Sequence, residues 1–168
     1  MPDERIVVNA SPLILLTKID AVALLKEIAS EIAVPAAVQA EVEAGALDPS
    51  SFADLFAQKW LHVVPELPLS QEIVEWDLGA GESQVLAFAS QDSGWEAALD
   101  DLDARRCAAA LGIPVTGTLG VLLRAKDAGL ISAARPFVER LVHVGAHLSD
   151  ELVEKALALV EESWKRST

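Results

Sequence analysis

Short apolar runs rich in valine, isoleucine and alanine alternate along this chain with longer stretches whose apolar residues recur at helical spacing, and few folds accommodate that order. Arg5-Ile-Val-Val-Asn9, Glu31-Ile-Ala-Val-Pro35, Trp60-Leu-His-Val-Val64, Trp95-Glu-Ala-Ala-Leu99 and Ile113-Pro-Val-Thr116 read as strands. Between them, Ser11-Pro12 suits the start of a helix carrying Leu13, Ile14, Leu16 and Ile19, and Asp20 suits the cap of a second through Leu24, Leu25 and Ile28. Pro35 opens a helix with Val38, Glu41 and Val42. A break at Pro49-Ser50-Ser51 precedes a short helix around Phe52 to Phe56, and another short helix runs from Ser70 to Trp76. Longer helices are expected from Glu82 to about Gln91, Leu102 to Leu111 and Leu119 to Ala128. The chain then continues as a helix from Ile131 to about Val142 and a Ser149-capped helix reaching Trp164. Parallel neighbours need crossover connections, so this order predicts an α/β domain: a parallel sheet with helices on both faces.

The 168 residues suffice for one domain with a full core. No apolar run approaches a membrane span, and Met1-Pro-Asp-Glu-Arg5 lacks a signal peptide's basic flank and apolar stretch, so a cytoplasmic protein with no membrane partner is expected. The lone Cys107 fits a reducing compartment and reads as a small core residue. A net charge of −13 argues at first against a polyanion as partner. The charge is unevenly placed, however: residues 1–103 carry −15, residues 104–140 carry +4 and residues 141–168 carry −2. Arg105, Arg106, Arg124, Lys126, Arg135 and Arg140 form a basic segment directly after Asp100, Asp101 and Asp103.

In a parallel sheet, ligands bind beyond the carboxyl ends of the strands, where strand order reverses. The polar residues at those ends are Asn9 and Ser11, Asp100 and Asp101, and Thr116 and Thr118, with Glu41 and Glu82 on helices that can lean over the same edge. Carboxylates converging without basic partners repel one another unless a cation sits among them, and oxygen-only donors favour Mg²⁺ or Mn²⁺. Gly79-x-Gly81 lacks the third glycine of a dinucleotide fingerprint and follows no strand, which excludes that site. A phosphoacceptor receiver would need an acidic pair where Asn9-Ala10-Ser11 stands. His143 and His147 have metal-like spacing, yet Gly145 interrupts them.

Five stretches in this order resemble the PIN-domain superfamily of metal-dependent ribonucleases, and within it a prokaryotic PIN-like subfamily catalogued as a domain of unknown function. They are Val7-Val-Asn-Ala-Ser-Pro-Leu-Ile14, Val34-Pro-Ala-Ala-Val-Gln-Ala-Glu-Val42, Gly79-Ala-Gly-Glu-Ser83, Leu99-Asp-Asp-Leu-Asp-Ala-Arg-Arg106 and Val115-Thr-Gly-Thr-Leu-Gly-Val-Leu-Leu-Arg-Ala-Lys126. The resemblance implies a flavodoxin-like, five-stranded parallel sheet in a single domain over residues 1–168, its core at about 5–142 and a C-terminal helical extension at about 149–164. It implies a carboxylate cluster holding one or two divalent metals, Mg²⁺ or Mn²⁺, that hydrolyses single-stranded RNA to 5′-phosphate and 3′-hydroxyl ends. Carried over by position, Asn9, Glu41, Glu82, Asp100 and Asp101 would be metal ligands, the four carboxylates being catalytic. Either member of the Asp100/Asp101 pair could face the metal, with Asp100 favoured because it ends the strand. Thr116, Thr118 and Ser11 would contact RNA, and Arg105 and Arg106 would steer its backbone. The resemblance also implies the toxin of a toxin–antitoxin pair, a homodimer with an antitoxin protein as partner. Asn9 stands where an aspartate is usual. An amide oxygen ligates without charge, so a catalytically weak or inactive RNA- or protein-binding module is the alternative. Without the resemblance, Glu41 and Glu82 read as solvated helix residues, and Ser11 and Asp101 as helix caps.

Overall fold

The computed structural model describes residues 3–46 and 50–164; Pro49 of the expected break lies outside them. In chain order the elements are β1 (Arg5–Val8), α1 (Ala10–Lys18), α2 (Leu24–Ile28), β2 (Glu31–Pro35), α3 (Ala36–Gly45), α4 (Ser50–Phe56), β3 (Leu61–Val64), α5 (Gln71–Glu75), α6 (Ala80–Ala89), β4 (Trp95–Ala98), α7 (Leu102–Ala110), β5 (Val115–Thr116), α8 (Thr118–Asp127), α9 (Arg135–His143) and α10 (Asp150–Ala158). The five strands are all parallel, in the order β3-β2-β1-β4-β5. The chain builds outward from β1 through β2 to β3, then returns to the other side of β1 for β4 and β5. Strand order therefore reverses between β1 and β4.

Helices cover both faces, so the central strands are apolar apart from Arg5 and Glu96: Ile6, Val7 and Val8 are fully buried, as are Ala97 and Ala98. α6 lies across β2, β1 and β4 and also packs on α3. Its Gly81, Ser83, Val85, Leu86, Ala87 and Ala89 are buried, too many for a simple amphipathic stripe. Gln84 on this helix is buried too, but both ends of its amide are paired: Leu67 N–H donates to Oε1 at 2.8 Å and Nε2 donates to Leu67 O at 2.9 Å. That exchange pins the 65–70 loop to the central helix.

Several boundaries differ from the sequence reading. α1 begins at Ala10 with Asn9 as its N-cap residue, not Ser11; Pro12 still falls in the first turn, where a missing N–H leaves nothing unpaired. Asp20 does not cap α2: its φ of 55° makes it a left-handed turn residue, and Ala23 precedes the helix. α6 starts at Ala80, ahead of Glu82. α9 starts at Arg135 instead of Ile131, with Pro136 in its first turn, and α10 stops at Ala158, short of Trp164. Ser70, Asp101 and Ser149 do cap their helices, each accepting from the amide three residues on. Cys107 is a buried core residue whose thiol is pushed upward in pKa by burial first and Glu72 second.

Candidate functional site

The switch point between β1 and β4 opens into a cleft of about 1010 Å³. Its polar wall holds Asn9, Ser11, Glu82, Asp100, Asp101, Arg105, Thr116 and Thr118. Its apolar wall comes from Leu15, Leu119, Leu123, Leu141, Leu148 and Leu152, with His147 on the segment between α9 and α10. Of the ten residues expected at a site, the fold brings these eight to one cleft; Glu41 and Arg106 are not among its lining residues.

Asp100 is the half-buried centre of the polar wall. Thr118 N–H donates to Oδ1 at 2.8 Å, while Oδ2 accepts from the hydroxyls of Thr118 at 2.6 Å and Ser11 at 3.1 Å. The carboxylate thus sits at the N-terminus of α8, where free amides and the helix dipole favour negative charge. Three elements fix its orientation: α1 through Ser11, the segment after β4, and α8 through Thr118. Asp101 turns the other way, its Oδ2 accepting from Ala104 N–H at 2.9 Å as the cap of α7. The divergence follows from consecutive side chains leaving an extended backbone on opposite sides.

Asn9 is 5% exposed and its Oδ1 has no hydrogen-bond partner. Its backbone N–H donates to Ala98 O at 3.1 Å, carrying the β1–β4 ladder one residue further and holding the side chain at the cleft floor. A buried amide oxygen left unpaired costs on the order of 1–3 kcal/mol, so this atom calls for a partner from the cleft.

Two glutamates gather at the N-terminus of α6. Glu82 Oε2 accepts from Gly79 N–H at 3.1 Å and Glu41 Oε1 accepts from Gly81 N–H at 2.9 Å. Gly81 is required for this approach, because a Cβ there would lie 2.8 Å from the Glu41 carboxylate. Burial raises the pKa of Glu82 above the ordinary value, the Gly79 N–H pulls it down, and the charges of Asp101, Glu41 and Asp103 push it up further. Glu41, outside the cleft, therefore still acts on it electrostatically.

Arg105 Nη1 donates to Leu99 O at 3.1 Å, which fixes the guanidinium at the cleft rim. Arg106 is exposed and pairs with Asp103 at 3.6 Å. Gly117 leaves room between Arg105 and Asp100: a Cβ there would lie 2.8 Å from Arg105 Nη1 and 3.0 Å from Asp100 Oδ1. The leucine wall is not legible in the sequence, because residues of α1, α8, α9, α10 and the α9–α10 segment meet only in three dimensions; His147, set aside with His143 as a metal pair, lines the cleft without His143.

Among the described residues, no three His, Cys, Asp or Glu side chains converge closely enough to hold a metal by themselves. Asn9 Oδ1, Asp100 and Glu82 are nonetheless hard oxygen donors in one cleft, and Mg²⁺ is commonly held by one or two carboxylates with water completing the shell. The unpaired Asn9 oxygen makes this donor set a fit for one such ion.

An all-parallel α/β domain takes its ligands in the crevice at the topological switch point, and in this chain oxygen donors line that crevice. A family model described as a PIN domain matches residues 5–162, and the chain belongs to that family. PIN domains are in general nucleases and typically use divalent metal ions. No curated protein matches the chain. Among the described residues no helix is long and apolar enough to cross a membrane.

Proposed function

We propose that this protein is a metal-dependent endoribonuclease that hydrolyses single-stranded RNA with Mg²⁺ or Mn²⁺. The observation that carries the reading is the buried, unpaired Asn9 Oδ1 on the floor of the cleft that Asp100 and Glu82 also line. Asn9, Asp100 and Glu82 would hold the ion. When bound, a divalent ion supplies acidified water and neutralises charge on phosphoryl oxygens. The chain's own residues prepare that chemistry. Ser11 and Thr118 lock the Asp100 carboxylate in one orientation, so no reorganisation is needed as substrate arrives. Glu82 holds its proton to higher pH than an ordinary glutamate, and a cation entering the cleft offsets the repulsion from Asp101, Glu41 and Asp103. Arg105 faces the RNA backbone from the rim.

The test is cleavage of a labelled single-stranded RNA with Mn²⁺ or Mg²⁺. Loss of cleavage is expected with chelator and with Asp100→Asn, whereas Asp101→Asn, which keeps a capping oxygen, is expected to retain it. Equal residual cleavage by wild type and Asp100→Asn would defeat the reading. The neutral Asn9 and the lack of a three-carboxylate cluster among the described residues favour one second reading, an RNA-binding module without hydrolysis. Metal-dependent RNA binding with no cleavage would select it. In the nuclease reading the protein is the toxin of a toxin–antitoxin pair, and co-expression with its antitoxin is expected to suppress cleavage.

A further inference from the structure

We propose that the cleft takes a single divalent ion and that the Arg105 guanidinium supplies the second positive charge that a substrate phosphate meets. This rests on the metal-dependent reading above and narrows it.

The first argument is the capacity of Asp100. A carboxylate offers about four lone-pair positions. Three are occupied by Thr118 N–H, Thr118 Oγ1 and Ser11 Oγ. The remaining one serves one ion, whereas two ions about 3.5–4 Å apart are normally bridged by a shared oxygen ligand. Of the other carboxylates, Glu41 does not line the cleft and Asp101 turns toward Ala104 N–H, so Glu82 is the one left to add charge beside Asp100. Asn9 adds a donor atom but no charge.

The second argument is the state of Arg105. The other arginines near carboxylates are paired: Arg5 with Asp92, Arg106 with Asp103, Arg124 with Glu96 and Arg135 with Glu139. Arg105 instead lines the cleft, anchored through Nη1 to a backbone carbonyl, which fixes its position without neutralising it. Gly117 lets the guanidinium and the Asp100 carboxylate flank the same space. A planar fork with free N–H groups suits a phosphate and repels a second dication.

The experiment counts Mn²⁺ bound by the full chain, using electron paramagnetic resonance of the free ion. It then measures fluorescence anisotropy of a labelled single-stranded oligoribonucleotide over a salt series, with Ca²⁺ in place of Mg²⁺. One Mn²⁺ per chain is expected. Arg105→Ala should flatten the dependence of log K on log salt by about 0.7, the loss of one single-strand phosphate contact. Arg106→Ala should leave that slope unchanged. Arg105→Lys should restore the slope without the full affinity, since lysine keeps the charge and loses the fork. Two Mn²⁺ per chain, or an Arg105→Ala slope equal to wild type, overturns the proposal and leaves the nuclease reading standing. A chain that binds no Mn²⁺ overturns both.

Discussion

At the residue scale, three glycines of similar appearance have different consequences. At Gly81 an added Cβ meets the outer end of the exposed Glu41 side chain, which can swing into water, so Gly81→Ala is expected to change stability by less than about 1 kcal/mol. At Gly120 the Cβ would lie 2.5 Å from Oγ1 of the buried Thr116. The gain in helix propensity is at most about 1 kcal/mol, and the overpacking costs about 1–3 kcal/mol, so Gly120→Ala should be destabilising in urea unfolding. Gly117→Ala should fold and lose RNA affinity, because its Cβ separates Arg105 from Asp100. Glu82 gives a pH test. Its raised pKa means that the folded chain holds the proton more tightly than the unfolded one, so protonated Glu82 contributes stability in acid that is lost as pH rises through the raised value. Glu82→Gln keeps an acceptor for Gly79 N–H without the charge. It should match wild type below about pH 4 and exceed it at neutral pH, as read from urea midpoints at each pH.

At the element scale, the ends of helices decide both stability and placement. Asp101 caps α7 and α8 begins at Thr118, so Asp100 is caught between two helix N-termini. Asp101→Ala should cost about 1 kcal/mol for the lost cap while activity per folded molecule is kept, which separates its capping from any part in catalysis. The segment after α10 is tied back in the same manner. Glu162 Oε2 and Oε1 accept from the amides of Ala134 and Arg135, at 2.8 and 3.0 Å, closing the start of α9. Trp164 Nε1 donates to Asp150 at 2.9 Å. Glu162→Ala should therefore lower stability by about 1–3 kcal/mol and speed protease cutting beyond Ala158, seen as a shortened band in limited proteolysis. α9 starts later than its apolar pattern suggests: Ile131 and Ala134 extend the pattern, but Pro136, which favours a first turn, marks the helix start at Arg135.

At the scale of the whole molecule, strand order converts separate stretches of sequence into one cleft. β1 and β4 are adjacent although Asn9 and Asp100 lie far apart in the chain, and the reversal between them leaves the space into which both residues reach. α10 closes the far side through Leu152 and packs on α8 with Val153 and Leu157 buried. The uneven charge also acquires a place: Arg105, from the basic segment, stands at the rim of a cleft that Asp100, Asp101 and Glu82 also line.

The sequence by itself determined the parallel α/β order, the five strands and the polar residues at their carboxyl ends, because burial on both sheet faces and crossover connections impose strict local patterns. It also marked Asp101 as a potential cap and Asn9 as a departure from aspartate. Only the tertiary structure set Asp100 and Asp101 apart, orienting one toward Ser11 and Thr118 and the other toward Ala104. Only the tertiary structure separated Arg105 from Arg106 and assembled the leucine wall. Those outcomes depend on side-chain direction and contacts between distant elements, which residue spacing along one chain does not encode.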